Sequence, residues 1–424
     1  MNKVIIIGSG ISGLASAWWL HKKFPNAQLI ILDKATSPGG LLFTIQKQGF
    51  SFDLGPKGFL TQGEGEFTLK LIKELGLNDA LIFNNKAAKK RYIHYKGKTR
   101  KISFLSLIQE GLLTSLIKDL FAPCYPHDSS IEAFFERHST RNLTKYILNP
   151  VVTAIRAGRS SNLSTYMAFP SLAKREAETG SLLRSYLKEL FSCQKRTKKE
   201  HTLATLQPSL KVLIDTLKAK IPAEWKFSSP VIKIISSSEN VQIMTPSETL
   251  SADLAIYTGP LNLLSSLTNI SNLKILEERT LSWHFSSTAL GWHSSKFSLP
   301  KGYGMLFAEE PPLLGIVWNS QIFPQQALGK TSLSLLLEGF WHEAEAYACS
   351  IAAISKYLGI SQKPDAFSLF SPRDGVPQHS VGFLEARQRI LPSLPKTLKF
   401  VGQNIAGPGL NRCIASAYNT IATL

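Results

Sequence analysis

Acidic residues are what this sequence has least of. Its 424 residues include 30 Asp and Glu against 48 Lys and Arg, a formal net charge of +18. An average chain of this length carries about 53 acids. The bases are near their usual number, so the imbalance comes from missing carboxylates and not from a Lys/Arg-rich nucleic-acid tail. No nucleic-acid motif is present. Cysteine is scarce too. Cys124, Cys193, Cys349 and Cys413 are scattered and form no CxxC pair, which excludes a disulfide framework and points to a reducing, cytoplasmic setting. No apolar run reaches the roughly 18 residues of a membrane span. Repeats, low-complexity tracts, metal-ligand clusters and Ser/His/Asp or Cys/His arrangements are missing as well.

What is present is a folded chain. It is 44% hydrophobic and 10% aromatic, which excludes disorder, and its length allows two or three domains with a sizeable core.

The first thirty-odd residues carry the strongest signal. Lys3, the apolar stretch after it and Ala15-Ser16-Ala17 imitate a signal peptide with its cleavage site. The order of elements supports a different reading. Val4 to Ile7 is a β-branched run suited to a buried parallel strand. Gly8-Ser9-Gly10-Ile11-Ser12-Gly13 follows, then a helical stretch from Leu14 to Leu20. A second strand, Ile30-Ile31-Leu32, ends at Asp33. Strand, GxGxxG, helix, strand and acid in this register form a dinucleotide-binding fingerprint. Gly8 allows the tight turn, Gly10 admits a pyrophosphate, Gly13 lets helix pack on strand, and Asp33 can accept ribose hydroxyls.

After Lys34 comes Gly39-Gly40-Leu41, a pair of glycines that resembles the flavin-binding continuation of the glutathione-reductase and amine-oxidase type. Gly49-Phe50-Ser51-Phe52-Asp53-Leu54-Gly55-Pro56-Lys57-Gly58 resembles a "gf-x-(E/D)-x-GP" segment. Further along, Lys90-Arg91-Tyr92-Ile93, Ile155 to Arg159 with Asn162-Leu163-Ser164, Gly302 to Phe307, Gly315 to Trp318 with Phe323-Pro324, Val376 to His379, and Val401 to Ser416 continue the same series. Taken together and in this order, they resemble the oxygen-dependent protoporphyrinogen/coproporphyrinogen oxidase family over almost the whole chain.

That resemblance implies an FAD enzyme. It would take six electrons from protoporphyrinogen IX to give protoporphyrin IX, with O2 as acceptor and H2O2 as product; coproporphyrinogen III is the alternative substrate. Besides the residues from Gly8 to Gly13 and Asp33, it places FAD contacts at Lys34, Gly39, Gly40, Leu41, Gly55, Pro56, Lys57 and Gly58. Val231, Gly402, Gln403, Pro408, Gly409 and Leu410 complete the set. It puts the tetrapyrrole against Tyr303, Gly304, Leu306 and Leu336, with Arg91 on a propionate. A planar guanidinium suits a carboxylate. No general base is assigned, and His379 reads as structural. The sequence departs from the pattern at Asp33 (Glu is usual), Gln207 to Leu210 (for a GGL), Gly382-Phe383 (for a GH) and Arg412 (for an Asp). Other readings of the same fingerprint are another flavin amine oxidase, a carotenoid-desaturase relative, or a non-catalytic escort protein of this fold.

The expected fold is α/β and α+β: a Rossmann-like FAD-binding domain interleaved with a mixed-sheet substrate domain and a helical region. Residues 1–60, 203–262 and 371–424 form the discontinuous FAD domain. Residues 61–202 form the helical region and 263–370 the substrate sheet. Helices are expected where Leu105, Ile108, Leu112, Leu116 and Leu120 recur, over Ile131 to Ile147, Leu182 to Leu190 and Leu210 to Lys220, and from 411 to 424. Strands are expected at Val231 to Ile235, Val241 to Ile243, Thr288 to Trp292 and Leu333 to Leu337. Lys195 to Lys199 reads as an exposed loop. Basic residues between Lys86 and Lys101, beside the Leu/Ile helix that follows, fit a solvated face. They equally fit peripheral attachment to an anionic membrane surface. Oligomeric state is open, a homodimer included.

Overall fold

The computed structural model describes residues 1–191, 202–268 and 270–424. Cys193 and the Lys195–Lys199 stretch lie outside the described residues.

A five-stranded parallel sheet runs in the order Ala223–Lys226, Gln28–Leu32, Lys3–Ile7, Leu254–Tyr257, Leu398–Phe400. Its central strand is apolar from Val4 to Ile7 because both faces are covered there. Val4 and Ile6 pack on one side with the helices Ile11–Lys23, Lys211–Lys220 and Leu410–Ala422. Ile5 and Ile7 point the other way, onto the antiparallel strands Lys233–Ser236, Val241–Met244 and Thr249–Ala252 and the helix Phe383–Ile390. The sheet therefore draws on three separated stretches of chain.

A second, mixed sheet has seven strands in the order Ala366–Phe370, Phe285–Trp292, Thr331–Glu338, Leu313–Val317, Gly304–Phe307, Tyr92–Tyr95, Lys98–Lys101. Leu333, Leu335 and Leu337 cover one face and pack with Ile354 of the helix Glu343–Leu358. Two of the seven strands come from the stretch 61–202, expected to be helical, and Leu81–Phe83 there is a strand of another sheet. Ile93 and Tyr95 turn inward while Lys98 and Lys101 stay exposed, as suits a basic edge strand.

The helical region differs from its expected outline. The Leu105–Leu120 stretch is two helices, Phe104–Gln109 and Leu112–Leu120, parted at Gly111 with φ of 98°. The second helix turns its polar side inward: its buried residues are Ser115 and Asp119. Phe104, Leu105, Leu113, Ile117 and Phe121 are exposed, and so are Leu190 and Phe191 of the helix Leu182–Phe191. The Ile131–Ile147 stretch stops after Ile131–His138, where Ser139 is extended, and resumes at Arg141. The expected strand at Val231 begins only at Lys233. Among the described residues, no helix is long and apolar enough to cross a membrane.

Candidate functional site

Between the two sheets, three glycine-containing loops meet. Gly8 leaves its strand with φ of 104°, and its N–H donates to Leu32 O at 2.8 Å. A Cβ on Gly13 would stand 1.9 Å from Gly8 O, so the fold itself needs that glycine. Gly10 differs. A Cβ there would meet nothing nearer than Gly40 Cα at 4.0 Å. Gly10 is also the N-cap of the helix Ile11–Lys23, and no side chain caps that terminus. The first N–H groups, at Ile11, Ser12 and Gly13, are thus presented at an open, positively polarised end, as a diphosphate requires.

Asp33 is fixed by the same loop. Its Oδ2 accepts both Ser9 N–H and Ser9 Oγ–H at 2.6 Å, and its Oδ1 accepts Ala35 N–H at 2.8 Å. Oδ2 is thereby saturated, and Oδ1 keeps a lone pair for a ribose hydroxyl. Lys34 leans away and pairs with Asp374 at 2.9 Å. Ser229 N–H donates to Asp33 O, which brings the segment leading to Val231 beside the acid.

Gly39 bridges Gly10, and Gly40 has φ of 57° with its Cα facing the same residue. Gly55 lies against Leu41, whose carbonyl oxygen would be 2.0 Å from a Cβ there, and Gly58 lies against Ala204 O in the same way. After Pro56, Lys57 reaches inward and donates to the Asp53 carbonyl. Burial lowers the Lys57 ammonium to about 8, with Asp53 opposing the shift, and burial also raises the Asp53 carboxyl.

The third loop is the run from Gly402 through Gln403 to Pro408, Gly409 and Leu410. A Cβ on Gly402, whose φ is 101°, would fall 2.5 Å from Ser12 Oγ. Gly409, at φ of 126°, has no protein atom within 4 Å of such a Cβ. It caps the helix Leu410–Ala422, again with no side-chain cap. The helices Ile11–Lys23 and Leu410–Ala422 pack on each other, and neither N-terminus has a side-chain cap. An open Gly10, an open Gly409 and the two uncapped helix ends fit a flavin dinucleotide.

The other face of the seven-stranded sheet packs at Ala289 on Phe50, Phe52 and Leu54 and at Phe370 on Phe43, beside the second of these loops, and at Ile93 and Leu306 on Leu143 and Ile147 of the helical region. Register partners give one row across it: Ile93, Leu306, Gly315, Leu336, Ser287 and Phe370. A second row on that face runs Gly304, Val317, Ser334, Ala289, Ser368. Leu306, Leu336 and Gly304 thus share a face, with Gly315 leaving a gap between the two leucines. Tyr303 stands at the end of the Gly304–Phe307 strand, and the Arg91 guanidinium sits over its ring at 5.3 Å. Burial raises the Tyr303 phenol, with Arg91 opposing. His379 is buried and hydrogen-bonds Asn404 O at 2.8 Å; burial lowers it to about 4, so it is neutral.

Sequence reasoning did not single out Gly315, Ser287 and Phe370 as site residues, because only strand register brings them into the row. It noted Arg412 solely as a departure. The structure surrounds Arg412 with partners: Met167 O at 2.7 Å, Ala168 O at 3.2 Å and Glu64 Oε2 at 3.5 Å.

Residues 11–294, more than half of the chain, match the family described as flavin containing amine oxidoreductase. The chain is 24% identical over 464 residues to protoporphyrinogen oxidase of Bos taurus, covering 99% of this chain and 97% of that protein. It is 23% identical over 455 residues to coproporphyrinogen III oxidase of Bacillus subtilis (strain 168), covering 97% and 95%. A crystal structure from Exiguobacterium sp. 255-15, provisionally named a protoporphyrinogen oxidase, superposes with a TM-score of 0.85 at 19% identity, covering 100% of this chain and 98% of that one. The chain belongs to the flavin-containing amine oxidoreductase family and is an FAD-dependent oxidoreductase.

Proposed function

We propose that the chain oxidises a porphyrinogen to a porphyrin, with protoporphyrinogen IX as substrate and O2 as acceptor. Loss of six electrons and six protons is balanced by three O2 becoming three H2O2. The observation that carries this reading is the row Leu306–Gly315–Leu336 on one sheet face, with Arg91 stacked on Tyr303 at its border. A flat apolar macrocycle with anionic propionates needs that pairing of a gapped apolar wall and a cation.

When bound, FAD supplies the two-electron acceptor that O2 regenerates. The chain's own residues do the rest. Gly10 to Gly13, Asp33, Gly40 and Gly409 hold the cofactor. Leu306 and Leu336 grip the ring and exclude water. Gly304 lets the macrocycle approach the backbone, and Arg91 binds a propionate through its fork. His379, neutral and engaged with Asn404 O, takes no part as a base.

Coproporphyrinogen III is the second reading, since identity to the coproporphyrinogen III oxidase of Bacillus subtilis is 23% and to the bovine protoporphyrinogen oxidase 24%. The test is direct. Purified holoprotein is given each porphyrinogen under air, and porphyrin fluorescence and peroxide are followed. Turnover of one with peroxide release supports the reading; no turnover of either by FAD-loaded protein refutes it.

The exposed apolar side chains Phe104, Leu105, Leu113, Ile117 and Phe121 lie beside a basic edge strand. We propose that this face attaches peripherally to an anionic bilayer.

A further inference from the structure

Around the start of the Leu410–Ala422 helix the structure buries more positive charge than it neutralises. Arg412 is the third residue of that helix, where a cation opposes the helix dipole. Its side chain is 11% exposed. It is held by the carbonyls of Met167 and Ala168, with Ala406 O further off at 3.5 Å. Arg387 donates to the neighbouring carbonyl, Ile405 O, at 2.7 Å. Arg156 lies over the Phe169 ring at 4.7 Å, next to the carbonyls that Arg412 uses, and its buried Nε has no hydrogen-bond partner among the described residues. The acid facing this group is Glu64, 3.5 Å from Arg412 and 53% exposed, too solvated to offset three guanidinium groups. His379 is uncharged, so it adds nothing. Carbonyl oxygens satisfy hydrogen bonds but carry no net charge. Burial lowers Arg156 to about 10, and the nearby Arg412 charge adds to the shift.

Such a cluster is costly unless an anion comes to it. Oxidised flavin is neutral, and reduced flavin is an anion at its pyrimidine side. We infer that Arg412, with Arg156 and Arg387 behind it, biases the bound flavin toward its reduced, negatively charged form. This rests on the reading that the flavin ring end lies against the turn at Gly409, which is open. Arg412 is in this sense a positioning residue that acts through the field, and it stands where the family resemblance expects an acid that would act in the opposite sense.

Sulfite titration of the holoprotein tests this. Sulfite adds reversibly to oxidised flavin, leaves negative charge on the ring and bleaches the visible band. Its dissociation constant therefore reports the local field. Arg412→Gln is expected to weaken sulfite binding by about tenfold or more and to lower the flavin potential, while Arg412→Lys, which keeps the charge, stays close to the parent. Arg156→Gln is expected to weaken sulfite binding less but measurably. It decides the matter alone if loss of the Met167 and Ala168 contacts costs Arg412→Gln its flavin. Unchanged sulfite affinity in flavin-loaded Gln variants overturns the inference, as does a rise in KM alone, which would assign the cluster to a substrate carboxylate. A Gly409→Val control separates the underlying placement: parent-like flavin content and sulfite affinity in that variant would remove the flavin from this turn, and the inference with it.

Discussion

His138 Nδ1 stands 2.6 Å from Asp119 Oδ1, with the two side chains 4% and 6% exposed. The other ring nitrogen lies 3.0 Å from Glu176 Oε1, and Arg137 closes on Glu176 at 2.5 Å. With both acids ionised, neither oxygen can donate, so both ring nitrogens must. Asp119 also accepts from Ser181 Oγ and from Leu182 and Leu183 N–H. One buried network thus joins the helices Leu112–Leu120, Ile131–His138, Pro170–Thr179 and Leu182–Phe191, two of which carry the outward apolar face. Removing the ring leaves two buried acids without their bridge. His138→Ala should cost about 3–5 kcal/mol, read as a lowered urea midpoint with flavin absorbance retained until unfolding. A loss below 1 kcal/mol would show that the bridge contributes nothing.

Acid should undo the same network. Burial opposes ionisation of Asp119, but the Leu183, Ser181, Leu182 and His138 hydrogen bonds outweigh it and hold the carboxyl below its ordinary value. Burial likewise opposes Glu176, and His138 and Arg137 outweigh it. Groups depressed in the fold contribute stability above their unfolded pKa, about 4, and lose it as pH falls through the folded values. Stability should therefore fall steeply below about pH 4, and an Asp119→Asn variant should show a shallower acid limb in denaturant titrations.

The two glycines of the first loop should separate fold from cofactor. Gly13→Ala drives a Cβ to 1.9 Å from Gly8 O and should destabilise the apoprotein by roughly 1–3 kcal/mol or more. Gly10→Val introduces a side chain that starts in open space and should leave the apoprotein melting temperature nearly unchanged while abolishing FAD retention. Thermal melts with and without added FAD distinguish the two.

For the apolar face, the paired change Ile117→Asp and Phe121→Asp replaces two exposed side chains and should leave the melting temperature within a degree or two. Flotation with phosphatidylserine-containing liposomes should fall several-fold. Equal flotation of parent and variant would place any bilayer contact elsewhere.

These residues also mark where the sequence was legible. The Gly8–Gly13 loop and Asp33 could be read because strand, turn and helix lie within one short stretch, and each glycine answers a local need. Periodicity in the Leu105–Leu120 stretch signalled a helix but not its orientation: leucines normally face inward, yet here Ser115 and Asp119 do, drawn by partners some twenty to sixty residues away. The row Leu306–Gly315–Leu336 depends on antiparallel register between strands with no shared local pattern. Arg412 was visible as an odd residue at a known place, but its partners Met167 and Ala168 sit nearly 250 residues earlier.

Arg91 carries the sharpest prediction for the reaction. Its guanidinium rests on the Tyr303 ring at 5.3 Å and is exposed, with no carboxylate paired to it among the described residues. The fork is thus free to take a propionate and is already oriented by the aromatic face. Arg91→Ala should raise KM for the porphyrinogen about tenfold or more, with flavin content and sulfite affinity unchanged, because its contact is the Tyr303 ring on the substrate sheet. Arg91→Lys should recover only part of the loss, since an ammonium keeps the charge but not the fork. The parent kcat/KM should also drop as salt rises, in keeping with a chain short of acids drawing in an anionic substrate, and the Ala variant should show a shallower salt slope. An unchanged KM in Arg91→Ala would remove this residue from the substrate site and leave the tetrapyrrole carboxylates to some other cation.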